Sequence, residues 1–445
     1  MTPAADRPHT DDTLPNGLRL VAVHTPAAPL AEIRLVLPWA RTAPRLAAAQ
    51  RLLAACLGTG ARTPGGRLRT RQDIADRAAD LGAELSTVVT PESLVLSAGV
   101  LAEGLPGALG LLADLLLRPV HQEREIALAH ARLPAPGARP LGRNLLRTAL
   151  LTDAFGAHPL LAPPAPDAAA GPPTAADLHA LHRRAVVPAG SVLLITGDAD
   201  PRRTADTAAQ ALADWSGGPS GLVLPPFARP GPRPGRTRLT DPEAGQALVL
   251  TAGPAARGDA ALHLAQLVLG GHASGRLARR VRDRHGLAYA VSATLRENRA
   301  GAWLETEAAG ALGTADRIAA EVTGCLHELA ADGPTPDEFE RARAYALGFT
   351  RFALATRAEE ATALAGFLAA GLPLHWLDDH RSALTALTPA RVAEAAARFL
   401  DPRHTALATL DTPPAPPGPE PVLPASAPPE PVPHGHHPHE TESPA

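Results

Sequence analysis

Arg282 and Tyr289, seven residues apart around the turn His285-Gly286-Leu287, are the side chains in this chain whose types best suit ligand chemistry. A guanidinium is permanently charged and offers directional donors. A phenol can donate one hydrogen bond. Each also has a plainer reading. Arg282 sits at the end of an Arg-rich stretch (Arg276, Arg279, Arg280, Arg284), where it would compensate a helix dipole. Tyr289 could simply pack in a strand, although it is one of only 2 tyrosines in a chain with 3% aromatic residues.

Other polar groups carry weaker signals. Glu123 and Glu125 lie together in Gln122-Glu123-Arg124-Glu125-Ile126 and read first as a solvated helix face. His24 ends a strand pattern and reads as structural, while His263 and His272 flank a Gly-rich turn and read as placed there by chance. No Gly-x-Ser-x-Gly nucleophile elbow occurs. The C-terminal run His434-Gly435-His436-His437-Pro438-His439-Glu440 could hold a divalent metal loosely or be a silent solvated end.

Bulk properties narrow the function classes. A chain of 445 residues suits two or more domains. Its net charge of −3 gives no electrostatic case for nucleic acid or an anionic membrane as partner. Lysine is absent, so Arg supplies every fixed positive side chain. The 2 cysteines, Cys56 and Cys325, lie far apart in apolar helical patterns, which argues against a disulfide framework and for a reduced, cytoplasmic protein. Met1 to Asn16 shows no apolar signal core, and no apolar run is long enough to span a membrane.

The elements that must position Arg282 and Tyr289 repeat an order seen earlier in the chain. Strands are expected at Leu18–Val23 and Glu32–Leu37, then helices at Arg45–Leu57 and Arg71–Leu81, strands at Glu84–Val89 and Ser93–Val100, and a helix at Leu105–Leu117. Further on, a strand at Gln246–Ala252 precedes helices at Ala260–Leu269 and Arg276–Arg284. Strands at Ala288–Leu295 and Ala302–Ala308 and a helix at Thr314–Ala331 follow. Gly82 and Gly286 end corresponding helices, where glycine suits a left-handed C′ position. The expected division is a flexible N-terminus (1–13), a first half (14–216), an extended linker (217–238), a second half (239–412) and a disordered Pro/His-rich tail (413–445). A Pro/Ala insertion at Pro134–Pro140 interrupts the first half.

Several strings resemble the pitrilysin/insulinase metallopeptidases, a family that includes bacterial processing-peptidase-like members. They are Leu14-Pro15-Asn16-Gly17-Leu18-Arg19-Leu20, the strand Ser191–Thr196 running into Gly197-Asp198-Ala199-Asp200, and above all Leu269-Gly270-Gly271, Ser274-Gly275-Arg276-Leu277 and Val281–Val291. The resemblance covers roughly Leu14 to Asp411. It implies an α+β fold of two homologous halves, each a mixed, mostly antiparallel sheet with packed helices, facing each other as a clamshell.

That family binds zinc through His-x-x-Glu-His on the helix preceding Gly58-Thr59-x-x-Arg62. The matching positions here are Ala49, Leu52 and Leu53, or Gln50, Leu53 and Ala54 one register along. Neither set can bind zinc. Glu123 is the counterpart of the family's downstream Glu ligand, a vestige without its companions. By the same resemblance Arg282 and Tyr289 match the pair that binds substrate backbone and steadies charge on the scissile carbonyl. The expectation is a substrate-binding subunit, non-catalytic alone and without metal or other cofactor of its own. A paralogous partner carrying His-x-x-Glu-His would supply zinc and cut a peptide. The alternative is an inert structural or peptide-binding homologue.

Overall fold

The computed structural model describes residues 6–26, 28–40, 46–132, 142–161 and 173–412. The Pro134–Pro140 insertion and the tail histidines lie outside the described residues.

The first half begins β1 (His9–Thr13), β2 (Arg19–His24), β3 (Leu30–Pro38) and α1 (Ala47–Cys56). A small hairpin, β4 (Gly60–Arg62) with β5 (Leu68–Thr70), leads to α2 (Arg71–Asp80). β6 (Glu84–Val89), β7 (Ser93–Leu101), α3 (Leu105–Leu117), α4 (Glu123–Ala131) and α5 (Gly142–Phe155) follow. α6 (Ala175–Ala185), β8 (Val192–Gly197) and α7 (Pro201–Ala211) close this half. The second half runs β9 (Gly235–Thr240), β10 (Ala247–Pro254), α8 (Ala260–Gln266), β11 (Ala288–Asn298) and β12 (Gly301–Gly310). It ends with α9 (Ala315–Asp332), α10 (Pro336–Ala353), α11 (Arg357–Ala369), α12 (Trp376–Ala386), α13 (Pro389–Phe399) and β13 (Ala406–Asp411). Capping boxes at Thr70/Asp73, Thr174/Asp177, Thr335/Glu338 and Thr356/Glu359 start α2, α6, α10 and α11 by satisfying orphan backbone donors.

The two sheets share one topology. The first runs β1-β2-β8-β3-β7-β6 and the second, read from its other edge, β9-β13-β10-β12-β11. β2 with β8 and β9 with β13 are the parallel pairs; every other pairing in both sheets is antiparallel. Apart from β1, an additional edge strand of the first sheet, the strands of the two sheets agree in order and direction.

Two segments differ from expectation. Residues 9–13, placed within a flexible N-terminus, pair with β2 as β1. The 217–238 stretch is not a free span: Leu222, Leu224 and Phe227 are buried, and its last residues begin β9. These apolar anchors hold a Pro/Gly-rich strap against the core, where composition alone suggests a solvated linker.

Each sheet packs its own helices on one face. Leu35, Leu52, Leu109, Leu181 and Leu193 belong to the first core, and Val249, Leu264, Val281, Ile318 and Leu329 to the second. The opposite faces are covered reciprocally. α5, from the first half, buries Leu146, Leu150 and Phe155 against Leu248, Leu250 and Trp303 of the second sheet. α11, from the second half, buries Leu364, Ala365 and Leu368 against Val21, Val36 and Leu194 of the first. Polar contacts reinforce both crossings: Arg34 on β3 donates to Thr362 Oγ1 at 3.0 Å and to the Ala358 carbonyl at 3.1 Å, and Arg147 on α5 binds Glu305 on β12. Residues 1–412 consequently form one compact unit.

Candidate functional site

The helical path after β10 is irregular where it carries the candidate residues. α8 continues through Leu267–Gly271, a wide-turned stretch kinked at the non-helical Gly270; the turn Gly270–Gly275 then leads into a π-helical segment, Ala278–Arg284. Wide turns of this kind are uncommon and concentrate at functional sites. Close packing enforces the glycines here, since a Cβ on Gly275 would lie 2.7 Å from Gly270 Cα. Arg276 and Arg279 bind Glu338 on α10, each at 2.8 Å, and Arg280 binds Glu321 and Glu328 on α9. Arg282 is held differently. Its Nε donates to the adjacent Asp283 at 2.8 Å, and its side chain remains 40% exposed. The plainer reading of the Arg-rich stretch thus suits Arg276, Arg279 and Arg280 better than Arg282.

Gly286 ends the segment at φ 59°, as its place after the helix predicts. Two residues into β11 the register against β12 slips: Ala288 faces Gly310 and Ala290 faces Ala309. Tyr289 is the extra residue of this bulge, and bulges re-aim side chains beside functional sites. It is 64% exposed on the edge strand of the second sheet, with its hydroxyl donating to Gln246 Oε1. A helix end and a strand start therefore carry a cation and a phenol seven residues apart, on either side of the buried Leu287 and Ala288. Tyr289 is engaged by one local acceptor, and Arg282 by Asp283 with a longer bond to the Ala273 carbonyl at 3.4 Å, contacts that a ligand oxygen could displace. Asp283 and Gln246 were not marked in the sequence, and neither partner follows from a motif.

The zinc-motif positions have become core. Leu52 and Leu53 are 0% exposed, and Ala49 packs against the same cluster. Gln50, also buried, donates from Nε2 to the Ala40 carbonyl at 3.1 Å. Glu123 is exposed at the first turn of α4, and its neighbour Glu125 is bound by Arg71. These residues do not fit the zinc their family position implies. Among the described residues, no three or more His, Cys, Asp or Glu side chains are arranged to hold a metal as they stand. A cavity of about 500 Å³ lies between α2 and the β6–β7 edge, lined by Ile74, Ala78, Leu85, Leu96 and Leu112 among others.

The remaining histidines divide into satisfied and unsatisfied groups. His24 Nε2 lies 3.2 Å from Asp198. His263 Nδ1 meets His380 Nε2 at 3.0 Å, and burial, then the His380 charge, push His263 down to about 4. His272 caps its own turn, accepting from the Ser274 backbone at 3.1 Å. A fourth group passed unnoticed in the sequence: His121, just before α4, lies against His179 and His182 on α6, with ring centroids 4.6 and 5.7 Å away. The i, i+3 spacing of His179 and His182 was the available signal. Cys56 and Cys325 are free thiols buried in separate cores.

Among the described residues, no helix is long and apolar enough to cross a membrane. No curated protein sequence matches the chain. Residues 173–345 match the family described as the peptidase M16 inactive domain. The chain is similar to the crystal structure of a peptidase M16 inactive domain from Pseudomonas fluorescens (TM-score 0.77, 22% identity, covering 91% of this chain and 98% of that one). It is also similar to a protease from Helicobacter pylori (TM-score 0.76, 15% identity, 91% and 100% covered). A conserved protein from Enterococcus faecalis V583 shares the fold as well (TM-score 0.72, 16% identity, 91% and 99% covered). The match to the M16 inactive domain over residues 173–345 and the fold shared along the rest make this chain similar to the M16 inactive-domain proteins, with Ala49, Leu52 and Leu53 at the positions where the resemblance would put a zinc motif.

Proposed function

We propose that this chain is the substrate-binding subunit of a two-chain zinc peptidase and lends Arg282 and Tyr289 to a partner's active site. The observation that carries this reading is the contrast between the halves. The metal-binding positions are filled with Leu52 and Leu53 in the core, while Arg282 is exposed and Tyr289, seven residues on, is aimed outward from a bulge. The partner, a paralogous chain with His-x-x-Glu-His, supplies the metal. This chain's own part is to bind and orient. Arg282 exchanges Asp283 for a substrate carbonyl, Tyr289 exchanges Gln246 for the same or a neighbouring oxygen, and both donors favour the more negative oxygen of the transition state. An extended peptide adding to the open β11 edge would lie beside both.

Co-expression with a paralogue that carries His-x-x-Glu-His, followed by assay on a peptide library, tests this reading. Arg282→Ala and Tyr289→Phe should each lower kcat/KM at least about tenfold, the usual minimum for losing a donor used in the transition state, with subunit assembly unchanged. Full turnover in both variants would sink it. A second reading, an inert structural or peptide-binding homologue, draws on the satisfied state of the pair: both side chains already have intramolecular partners. Unchanged turnover together with lost assembly in a surface variant would favour it.

A further inference from the structure

We propose that His121, His179 and His182 form a divalent transition-metal site, taking zinc through three neutral imidazoles, distinct from the degenerate motif on α1. Both ring nitrogens of His121 are buried without a hydrogen-bond partner, and so is Nδ1 of His182. His121 and His182 are each 4% exposed. A buried imidazole with neither nitrogen satisfied carries a desolvation cost of about 1–3 kcal/mol per group, so such groups call for a missing partner.

The chemistry of His182 indicates what that partner is. Its Nε2 lies 2.8 Å from the Leu116 carbonyl, which can only accept, so Nε2 carries the hydrogen. The Nδ1 lone pair is thereby left free and pointing into protein. Metal-ligating histidines are oriented in this way, one nitrogen donating to a carbonyl and the other facing the ion. Burial, with smaller contributions from neighbouring charges, depresses His121 to about 3 and His182 to about 4. Both are then neutral at physiological pH, the form that ligates a metal.

Two of the three ring spacings fit as well. Two imidazoles bound tetrahedrally to zinc at about 2.0–2.1 Å have ring centroids about 5 Å apart. His121 lies 4.6 Å from His179 and 5.7 Å from His182, on either side of that value. The three donors do not yet converge on one point. His179 is the half-exposed member and can turn about its side-chain torsions to close the set. Three imidazoles leave a fourth position open. The ion would tie the start of α4 to α6, two helices that both pack on α1; its role there is to brace the helices.

The test uses the full chain, stripped with chelator and dialysed against micromolar zinc, with bound metal measured by mass spectrometry. Tail histidines are common to every variant, so differences report this cluster. The wild type should retain one zinc equivalent more than His121→Ala, His179→Ala or His182→Ala. Cobalt in its place should give visible bands of a tetrahedral nitrogen site that the variants lack. His182→Ala also loses the Leu116 bond, so His179→Ala, which removes no buried contact of that kind, is the decisive variant. Zinc should raise the melting temperature of the wild type and leave that of His179→Ala unmoved. Equal zinc content and equal thermal response in wild type and His179→Ala would overturn the proposal.

Discussion

Arg147 grips Glu305 across the two halves: its Nη2 donates to Oε1 at 2.6 Å and its Nε to Oε2 at 3.0 Å. Glu305 is 2% exposed in the middle of the second sheet, while Arg147 belongs to a helix encoded in the first half. A carboxylate so deep is tolerable only because it is paired. Arg296 at 3.1 Å also contacts Glu305. Arg147→Ala should therefore cost about 3 kcal/mol, the low end for breaking a buried pair, because Arg296 remains. Arg143→Ala removes a more exposed pairing with Glu307 and should cost under about 1 kcal/mol. Urea denaturation of the two variants checks the contrast.

The apolar parts of the exchange predict a second result. Leu150 and Leu364 are buried at 0% and 3% in the two crossing interfaces. Leu150→Ala and Leu364→Ala should each destabilise by about 2–5 kcal/mol, the cost of a buried leucine truncated in a close-packed site. Because each half lacks one face without the other, unfolding should remain a single transition. Coincident circular dichroism and tryptophan fluorescence curves would show it.

Acid should act on the helix that carries Arg282 through Glu338. Burial opposes ionisation of this carboxyl, but hydrogen bonds from Arg276 and the Thr335 backbone, with the charges of Arg276 and Arg279, outweigh it and hold the pKa down at about 2. A depressed carboxyl stabilises the fold above its unfolded pKa, near 4.5, and that contribution is lost as pH falls toward 2. Melting temperature of the wild type should drop across this window. Glu338→Gln should be less stable at neutral pH and show a flatter acid limb.

The turn between Arg282 and Tyr289 offers a purely conformational test. Gly286 sits at φ 59° with nothing within 4 Å of a Cβ built there. Gly286→Ala should cost about 1 kcal/mol from the left-handed backbone alone. Gly348, inside α10 and equally open, should behave oppositely, with Gly348→Ala adding about 0.5–1 kcal/mol. Thermal melts of the pair separate backbone strain from crowding.

Much of the architecture was legible. Apolar periodicity placed β8 at Ser191–Thr196 against the observed Val192–Gly197, and α9 at Thr314–Ala331 against Ala315–Asp332. β1 and β9 were invisible because both are edge strands, His-Thr-Asp-Asp-Thr and Gly-Arg-Thr-Arg-Leu-Thr, burying little and so showing no alternation. α5 and α11 had no reading in the sequence, and even an apolar face would report only that a face is buried and not which sheet buries it. In the site, the spacing of Arg282 and Tyr289 was readable from the resemblance. The bulge that turns Tyr289 outward was not, since it exists only in the register with β12. Glu123 kept its sequence neighbours and lost its setting: with Leu52 and Leu53 packed inward, no ligand set remains for it to complete.

The reciprocal crossing of α5 and α11 also sets an order on synthesis. The face of the first sheet formed by Val21, Val23, Val36, Val192 and Leu194 is finished once β8 emerges from the ribosome, yet its cover, Leu364 to Leu374, is encoded far downstream. At elongation rates of about 5–20 residues per second that gap lasts on the order of ten to thirty seconds. Through that interval the nascent chain carries a bare valine-rich face, the kind of transiently exposed apolar surface that invites aggregation until its cover arrives.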